Sequence, residues 1–348
     1  MSIENLLRDN IKALMPYASA RSEYSEQNAV LLDANESPLN NGFNRYPDPL
    51  QSKLKHAIAD DRNVKQEQLF IGNGSDETLD LLIRAFCIPE KDNIVIMPPT
   101  YGMYEVLATI NGVECKKSPL NEDFSLNIKT LFETIDKNTK IIFICSPNNP
   151  TGNSIDKVAI KEVLDRFTGL VVLDEAYIDF ANESSFINYL SEYPYLFVNQ
   201  TLSKSFSGAG LRLGVGVGSP ELIRILNTIK PPYNVNSLSQ LAGVRLINDS
   251  KSRNENIKLI LKEKEKMFDD LKRLEMVKKI FPSEANFWLI RFTDAEWVYE
   301  ELRNVGVIVR NRSNELHCEN TLRITVGSAK ENQVLLQNLI KINKKYSI

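Results

Sequence analysis

The sequence predicts an α/β fold, in which a large, doubly wound, mostly parallel sheet domain precedes a small α+β domain. The chain has 348 residues, which at roughly 150 residues per domain corresponds to about two domains. Short apolar runs alternate with helical patterns from residue 50 to residue 240, and this order is typical of parallel strands covered by helices. Beyond residue 240 the alternation gives way to one long helical stretch and a few shorter elements. These observations predict a large domain at 31–240 and a small domain at 241–348.

The elements of the large domain follow from short runs rich in Val and Ile, each bounded by Gly, Pro, Asn or Asp. A short helix and a polar arm, which is expected to contact the small domain or a second subunit, precede them at 1–30. Strands are predicted at 94–97, 141–145, 170–173, 196–198 and 213–217. Helices are predicted at 51–59, 76–87, 155–167 and 221–229.

The small domain begins with a long helical pattern at 239–277. Its alternating charges at 262–266 are typical of a solvated helix face. Strands are then predicted at 287–292, 307–310 and 322–326, and helices at 295–304 and 330–344.

Composition limits the chemistry that this chain can perform. The net charge of -3 argues against broad binding to nucleic acids or anionic membranes. No apolar run reaches the ~18 residues of a membrane span. Four widely spaced cysteines without a C-x-x-C pair indicate reduced thiols in the cytoplasm. Because only His56 and His317 are present, a histidine-rich metal site is excluded, and catalysis must rely on Lys, Tyr, Asp, Arg or Asn.

The strongest local signal is TLSKSF at 201–206, which follows a predicted strand. A lysine among small residues at a strand end is desolvated, which lowers its pKa and makes Lys204 a better nucleophile. Ser203 and Arg212 beside it suit a phosphate group. A plain surface lysine is the alternative.

DEAY at 174–177 comes at the carboxyl end of another apolar strand, where ligands of open α/β sheets bind. Asp174 there is suited to holding the proton of a pyridinium nitrogen, which makes pyridoxal phosphate an electron sink. A helix N-cap is the alternative reading of Asp174.

Three further loops are candidate binding segments, two of them after the strands predicted above and one, at 72–77, between a further strand and a helix. GNGSDE at 72–77 offers backbone N–H groups at a helix start to a phosphate, or is a simple turn. SPNNPTG at 146–152 supplies an Asn amide, and PPTYG at 98–102 supplies an aromatic ring that stacks on a planar cofactor or packs in the core. Arg310 and Arg323, beside short strands of the small domain, form an anion clamp or are solvated.

In this order and at these separations, the motifs resemble those of the fold-type I, class II pyridoxal-phosphate-dependent aminotransferases. The similarity covers nearly the whole chain. SPNNPTG with DEAY and SK is specific for that superfamily, and RYPDP, PPTYGMY and LRITVG point to its histidinol-phosphate branch. The matching segments are 16–17, 34–38, 45–49, 74–77, 98–104, 146–152, 174–177, 201–206, 209–214 and 322–327.

The resemblance implies how pyridoxal 5'-phosphate is held. Lys204 would bind it through its amine and move a proton, and Asp174 would pair with the pyridine nitrogen. Tyr177 and Asn149 would hydrogen-bond its 3-oxygen, and Tyr101 would stack on its ring. The residues implied to bind its phosphate are Gly74, Ser75, Thr201, Ser203 and Arg212.

The resemblance also implies substrate and subunit contacts. Tyr46 would reach the cofactor phosphate of a partner subunit, which makes a homodimer with shared active sites a requirement. Arg323, helped by Arg310 and Tyr17, would bind the glutamate carboxylate and the phosphate of the other substrate, and Asn35 would line the pocket. The sequence departs from the family pattern at 206–209 and at 216–218, where glycines replace bulkier residues.

The implied reaction interconverts histidinol phosphate and 2-oxoglutarate with imidazole-acetol phosphate and glutamate, in L-histidine biosynthesis. Alternatives of the same fold are an aromatic or aspartate aminotransferase and a threonine-phosphate decarboxylase. A DNA-binding regulator would need a longer segment than the arm at 1–30, and a nucleotide-dependent dehydrogenase would need a glycine fingerprint. The expected partners are therefore small-molecule substrates and a second subunit, without nucleic acid, membrane or metal.

Overall fold

A computed structural model of the chain describes residues 3–15 and 30–346. Its larger sheet has the spatial order β1-β7-β6-β5-β4-β2-β3. The strands of this sheet are β1 (Leu69–Asn73), β2 (Asn93–Ile96), β3 (Glu114–Lys117), β4 (Thr139–Cys145), β5 (Leu170–Asp174), β6 (Leu196–Thr201) and β7 (Leu213–Val217). Its smaller sheet has the order β10-β11-β9-β8. The strands of that sheet are β8 (Val277–Ile280), β9 (Phe287–Phe292), β10 (Arg310–Asn311) and β11 (Thr321–Thr325).

Helices cover both sheets. Those that start before residue 240 are α1 (Asp9–Lys12), α2 (Ser52–Arg62), α3 (Ser75–Phe86), α4 (Met103–Ile110), α5 (Ile128–Thr134), α6 (Lys157–Arg166), α7 (Pro220–Ile229) and α8 (Ser237–Asn248). The later ones are α9 (Ser250–Leu271), α10 (Ala295–Asn304) and α11 (Ala329–Tyr346). Several begin at side-chain caps: Asp156 caps α6, Ser219 caps α7, and Asn236 caps α8.

The strands β2, β4, β5 and β6 pair in parallel, as the apolar runs predict, and bury apolar side chains on both faces. The polar edge strand β3 also pairs in parallel, with β2. β7 differs from its predicted parallel direction, because it lies antiparallel between β1 and β6. The connection 202–212 between β6 and β7 holds only a one-turn helix, and a parallel return needs a longer crossover. The larger sheet is therefore mixed at one side and parallel elsewhere.

The smaller sheet is antiparallel and packs its apolar face on α9, α10 and α11. The helix predicted at 239–277 is two helices, which are separated at Asp249, the residue that caps α9, and are followed by β8. The strand predicted at 307–310 is shifted, since only Arg310 and Asn311 pair with β11. The sequence reading also overlooked β3, α4 and α5.

Two expectations about domains stay predictions. The predicted domain boundary at residue 240 falls inside α8, which packs against α2. This packing does not test where the two domains divide. Of the arm at 1–30, residues 16–29 lie outside the described residues. Within the described part, Ile3 and Leu7 are buried in the apolar cluster that also contains side chains of α3 and α7.

The glycines at 216 and 218 have a packing reason. A Cβ atom at Gly216 would lie 2.3 Å from the ring of Phe197, and one at Gly218 would lie 3.0 Å from it. The Phe197 ring of β6 thus fills the space that larger side chains at positions 216 and 218 would occupy. None of the helices in the described part of the chain has the length and apolar character needed to span a bilayer.

Candidate active site

Most of the residues singled out from the sequence line one cavity of about 420 Å³. Its predicted members are Ser75, Tyr101, Asn149, Asp174, Tyr177, Thr201, Ser203, Lys204, Arg212, Arg310 and Arg323. The cavity is also lined by Asp76, Cys145, Ala176, Ala209 and Arg312, to which the sequence reading assigned no role.

The strand register explains why these distant residues meet. Cys145 at the end of β4 pairs with Asp174 at the end of β5, and Asp174 pairs with Asn199 of β6. Because parallel strands end at the same edge of a sheet, the segments that follow them converge there. Thr201 ends β6 at this edge, and Asn149 and Lys204 follow β4 and β6.

Asp174 is a buried carboxylate, only 3% exposed. Its Oδ2 atom accepts a hydrogen bond of 2.8 Å from the Tyr104 hydroxyl, and its Oδ1 atom accepts one of 3.2 Å from the Ala176 backbone N–H. Burial raises its pKa to about 6, although these hydrogen bonds act in the opposite direction. No lysine or arginine of the described residues forms an ion pair with it, so a cationic ligand group would stabilise its charge.

Lys204 lies in the β6–β7 connection and lines the cavity. Its Nζ atom is 5.6 Å from the centroid of the Tyr177 ring. Burial lowers the pKa of Lys204, the positive charge of Arg323 lowers it further, and Asp174 partly opposes this. The pKa direction predicted from the sequence is thus the one that the surroundings of Lys204 produce.

Part of the cavity wall is a cup, formed by the lining residues Ser75, Thr201, Ser203 and Arg212 together with Gly74, which precedes Ser75 and lies beside Arg212. Ser75 begins α3 and lines the cavity, so the cup contains a helix N-terminus, whose free backbone N–H groups and positive dipole end favour an anion. The Thr201 and Ser203 hydroxyls lie 3.0 Å apart, and the Ser203 backbone N–H donates to the Thr201 hydroxyl at 3.1 Å. The cup therefore concentrates short donors around one point.

Two glycines allow this cup to close. Gly74 has a φ of +86°, and a Cβ atom there would lie 2.5 Å from Nη2 of Arg212. Gly214, on β7, lets the backbone of that strand approach the start of α3. A Cβ atom at Gly214 would lie 2.3 Å from the Ser75 nitrogen and 2.4 Å from the Gly74 carbonyl carbon.

Aromatic rings form another part of the cavity wall. The Tyr101 hydroxyl donates to Oδ1 of Asp76 at 3.1 Å, and its ring meets Tyr104 edge-on. The Tyr177 ring packs edge-on against Phe287, 5.2 Å between centroids. Burial raises the pKa of both Tyr101 and Tyr177, so both hydroxyls keep their protons near neutral pH.

A further part of the cavity wall is an arginine face, formed by Arg310, Arg312 and Arg323. Arg310 and Arg323 are opposite each other in the register of β10 and β11, as the proposed clamp requires. Nη1 of Arg323 donates to Oδ1 of Asn149 at 2.5 Å, which joins this face to the loop that follows β4. Burial lowers the pKa of Arg323, and the charges of Arg312 and Arg310 lower it further.

Of the predicted site residues that the structure describes, Gly74, Asn35 and Tyr46 are not among those lining this cavity, although the residue directly after Gly74 does line it. Asn35 and Tyr46 line a second cavity of about 440 Å³, where the Tyr46 ring stacks on Tyr233 at 4.5 Å. Tyr46 is 51% exposed. Tyr17 lies outside the described residues. The roles of Asn35, Tyr46 and Tyr17 stay predictions.

The family model for class I and II aminotransferases matches residues 19–339. The chain belongs to this family. Among curated members, the histidinol-phosphate aminotransferase of Flavobacterium psychrophilum is 50% identical over 337 residues, covering 96% of this chain and 97% of that protein. The corresponding protein of Flavobacterium johnsoniae is 47% identical and covers 98% of this chain and 99% of that protein.

Solved structures of such aminotransferases have the same fold. The histidinol-phosphate aminotransferase from Clostridium acetobutylicum superposes with a TM-score of 0.80 at 26% identity, covering 86% of this chain and 91% of that one. The enzyme from Sinorhizobium meliloti, in complex with pyridoxal-5'-phosphate, superposes with a TM-score of 0.79 at 20% identity. It covers 87% of this chain and 84% of the other. The fold-type I prediction is confirmed.

In this aminotransferase, sequence reasoning missed Tyr104, Asp76 and Arg312. Tyr104 stands three residues after Tyr101 in PPTYGMY, but its helix, α4, was not predicted. Tyr101 itself lies two residues before that helix, so helical spacing alone would not have paired the two rings. Arg312 stands two residues after Arg310, the spacing that places side chains on one face of a strand.

Proposed function

We propose that the chain is a histidinol-phosphate aminotransferase, which interconverts histidinol phosphate and 2-oxoglutarate with imidazole-acetol phosphate and glutamate. The observation that carries this proposal is that the arginine face lines the same cavity as the half-buried Lys204 and the buried Asp174. That face suits an anionic group of the substrate. The names of relatives that are 50% and 47% identical over nearly the whole chain support the same activity.

The residues present fit pyridoxal 5'-phosphate as cofactor. Asp174 is a buried carboxylate without an ion-pair partner in the described part of the chain, and it suits a protonated pyridine nitrogen. The cup offers hydroxyls, a helix N-terminus and the Arg212 fork, a donor set that suits a phosphate. A cavity of about 420 Å³ is of the size that binds small molecules.

In this proposal each residue around the cofactor has one task. When bound, pyridoxal phosphate supplies an aldehyde carbon for the amine and a ring that stabilises negative charge developing on the substrate's α-carbon. Asp174 would accept a hydrogen bond from the ring nitrogen, while the buried Tyr104 hydroxyl donates to its Oδ2 atom. Tyr101 covers the ring, and Tyr177 and Asn149 donate to its 3-oxygen.

Lys204 holds the cofactor between turnovers and transfers the proton during them. Because its pKa is lowered by burial and by Arg323, a larger fraction of its Nζ is neutral near pH 7 than for an exposed lysine. That neutral amine would take the proton from the α-carbon of the substrate and deliver it to the carbon that the cofactor contributes. Arg310 and Arg323 orient the substrate through its carboxylate or phosphate.

We further propose a homodimer with shared active sites, in the cytoplasm and without nucleic-acid or membrane partners. Exposed apolar side chains beside Tyr46 support a partner surface, since Leu39, Phe43 and Leu50 are all exposed. Tyr46 would reach the cofactor phosphate of the partner, and Asn35 and Tyr17 would complete the substrate pocket. Four free cysteines support a reducing compartment.

A substrate-panel assay tests the proposed activity. The purified protein, supplied with pyridoxal phosphate and glutamate, is offered imidazole-acetol phosphate, phenylpyruvate and oxaloacetate in parallel, and carbon dioxide is measured with threonine phosphate. The proposal expects kcat/KM for imidazole-acetol phosphate to exceed the others by orders of magnitude. Preferred amination of phenylpyruvate or oxaloacetate, or release of carbon dioxide, would instead identify one of the alternative activities.

A further inference from the structure

Arg312 is a third arginine of the small sheet that faces the cavity. It directly follows β10, and its backbone N–H donates to the Thr321 carbonyl at 2.9 Å, which fixes its position beside β11. Its side chain lines the same cavity as Arg310 and Arg323. The site therefore holds one cation more than a pair of arginines can supply.

The Arg312 guanidinium is held on one side only. Its Nη1 atom donates to Oε1 of Glu315 at 2.7 Å, and both side chains are largely buried, 21% and 26% exposed. Its Nε atom is buried without a hydrogen-bond partner among the described residues. The charge of Arg312 also lowers the pKa of Tyr177 and of Arg323, so it acts on the centre of the site and not only on Glu315.

The charge around the arginine face matches a dianion better than a monoanion. Three arginines and one carboxylate give a net charge of two positive units (3 − 1 = 2). A phosphate ester carries between one and a half and two negative charges near pH 7, roughly, and a carboxylate carries one. Without Arg312 the same region would carry one positive unit, which suits a carboxylate.

We propose that Arg312 determines the preference of this site for a phosphate-bearing substrate over a carboxylate-bearing one, and that Glu315 limits this preference so that glutamate still binds. The inference rests on the proposed function, because it assigns the phosphate of one substrate and a carboxylate of the other to the same arginine face. Arg310 and Arg323 bind either anion. Arg312 adds a positive charge that stabilises a doubly charged phosphate more than a singly charged carboxylate.

The test compares how the purified protein, saturated with pyridoxal phosphate, binds phosphate-bearing and carboxylate-bearing ligands. Arg312→Gln, Arg312→Lys and Glu315→Gln are measured beside Arg303→Gln, a control that removes an exposed arginine of the same domain paired with Glu300 at 3.0 Å. Steady-state KM values for histidinol phosphate and glutamate are determined. Inhibition of the glutamate half-reaction by inorganic phosphate and by acetate is followed through the cofactor absorbance.

We expect Arg312→Gln to raise the KM for histidinol phosphate and the inhibition constant of inorganic phosphate by about tenfold, the size of one lost hydrogen bond to a charged group. The KM for glutamate and the inhibition constant of acetate should rise by less than about threefold, since the charge of a monoanion is already matched. Arg312→Lys should retain most of the preference, Glu315→Gln should tighten phosphate, and Arg303→Gln should change none of the four constants.

Equal weakening of both anions by Arg312→Gln would overturn the proposal, because it would show that Arg312 only supports the loop. Weaker phosphate binding in Glu315→Gln would overturn it for the same reason. If Arg312→Gln does not fold, the phosphate and acetate inhibition constants of Arg312→Lys and Glu315→Gln test the proposal by themselves. If histidinol phosphate is not a substrate, the proposed function fails, but the inorganic phosphate and acetate measurements still test Arg312.

Discussion

The cup offers an anion a helix N-terminus, short hydroxyl side chains and one arginine, Arg212, whereas the arginine face offers three long arginine side chains. The cup is built where Gly74 and Gly214 bring two backbones into contact. The arginine face projects from an antiparallel pair of short strands. Both regions offer donors suited to negative charge, but backbone groups contribute only to the first.

This difference fits the two tasks. A cofactor that stays bound is best held by a rigid cup with one geometry, since preorganised donors lose little entropy on binding. Two substrates that alternate in one site need side chains that accept both a planar carboxylate and a tetrahedral phosphate. The following predictions separate these regions from the centre between them, beginning with the largest effect.

Lys204→Ala should abolish turnover while both anion-binding regions persist. Removal of a proton-transferring group is expected to reduce kcat by roughly a thousandfold or more. Equilibrium dialysis should still show binding of pyridoxal phosphate. Lys161→Ala is the matched control, because Lys161 also lies over a tyrosine ring, 4.0 Å from the Tyr189 centroid, but outside the cavity lining. A fully active Lys204→Ala enzyme would contradict the proposed role.

Asp174→Asn should stabilise the cofactor-free protein in a pH-dependent way. Burial raises the pKa of Asp174 in the folded state to about 6, from the ordinary 3.8. The free energy of unfolding of the parent is therefore unaffected by this group below pH 4, and it decreases as the pH rises from 4 through 6 and the buried carboxyl must ionise. The difference between the two pKa values corresponds to about 3 kcal/mol. Urea unfolding should therefore show the variant more stable than the parent by up to that amount at pH 7.5.

At pH 4 the same comparison should show little difference, because both residues are then neutral. The cofactor affinity of Asp174→Asn should fall in parallel, since the partner of the ring nitrogen is lost. An equal stability difference at both pH values would refute the assignment of the raised pKa to Asp174.

Gly214→Ala should weaken the cup without altering the arginine face. The added Cβ atom would overlap the backbone at Gly74 and Ser75, and overpacking of this kind costs about 1–3 kcal/mol. We expect the dissociation constant of pyridoxal phosphate to rise by roughly ten- to a hundredfold, with KM values at saturating cofactor nearly unchanged. Gly210→Ala, where a Cβ atom meets nothing within 4 Å, is the control.

Tyr104→Phe should have the smallest effect, because it removes one hydrogen bond and keeps the ring. The Tyr104 ring stacks on Phe143 at 5.0 Å, and phenylalanine preserves this contact. Loss of the hydrogen bond to the Asp174 carboxylate should lower kcat by about tenfold. It should also raise the pKa of Asp174, visible as a shift in the pH dependence of the stability difference described for Asp174→Asn.

Tyr193→Phe is the matched control for this experiment, since its hydroxyl donates to Asp165 at 3.1 Å on the protein surface. It should leave kcat unchanged. A Tyr104→Phe enzyme with unchanged kcat and an unchanged pH profile would show that the hydrogen bond to Asp174 has no part in the reaction.

Much of the fold could be predicted because its signals are local. The apolar runs that form β4, β5, β6 and β9 are short, bounded by breakers and rich in β-branched residues, so periodicity alone locates them. β3 was missed because its four residues, Glu114–Lys117, are largely polar at the edge of the sheet. The break at Asp249 was missed because helical periodicity continues on both sides of it.

The site was predictable to a similar extent, and for a similar reason. Lys204, Asp174 and Asn149 each follow a recognisable strand, and the edge rule for parallel sheets brings their segments together. Tyr104 and Arg312 act only through partners distant in the sequence or through a shared cavity, as with the hydrogen bond from Tyr104 to Asp174. No local pattern records such a partner.

The sequence by itself determined which residue types carry the chemistry, the two-sheet α/β class and the family to which the chain belongs. Only the tertiary structure decided the antiparallel direction of β7, the third arginine of the arginine face and the partner of Asp174. The physical reason is that strand direction, local charge and burial depend on which segments meet in space. A pKa near 6 for Asp174 arises from that burial, and not from its neighbours in the chain.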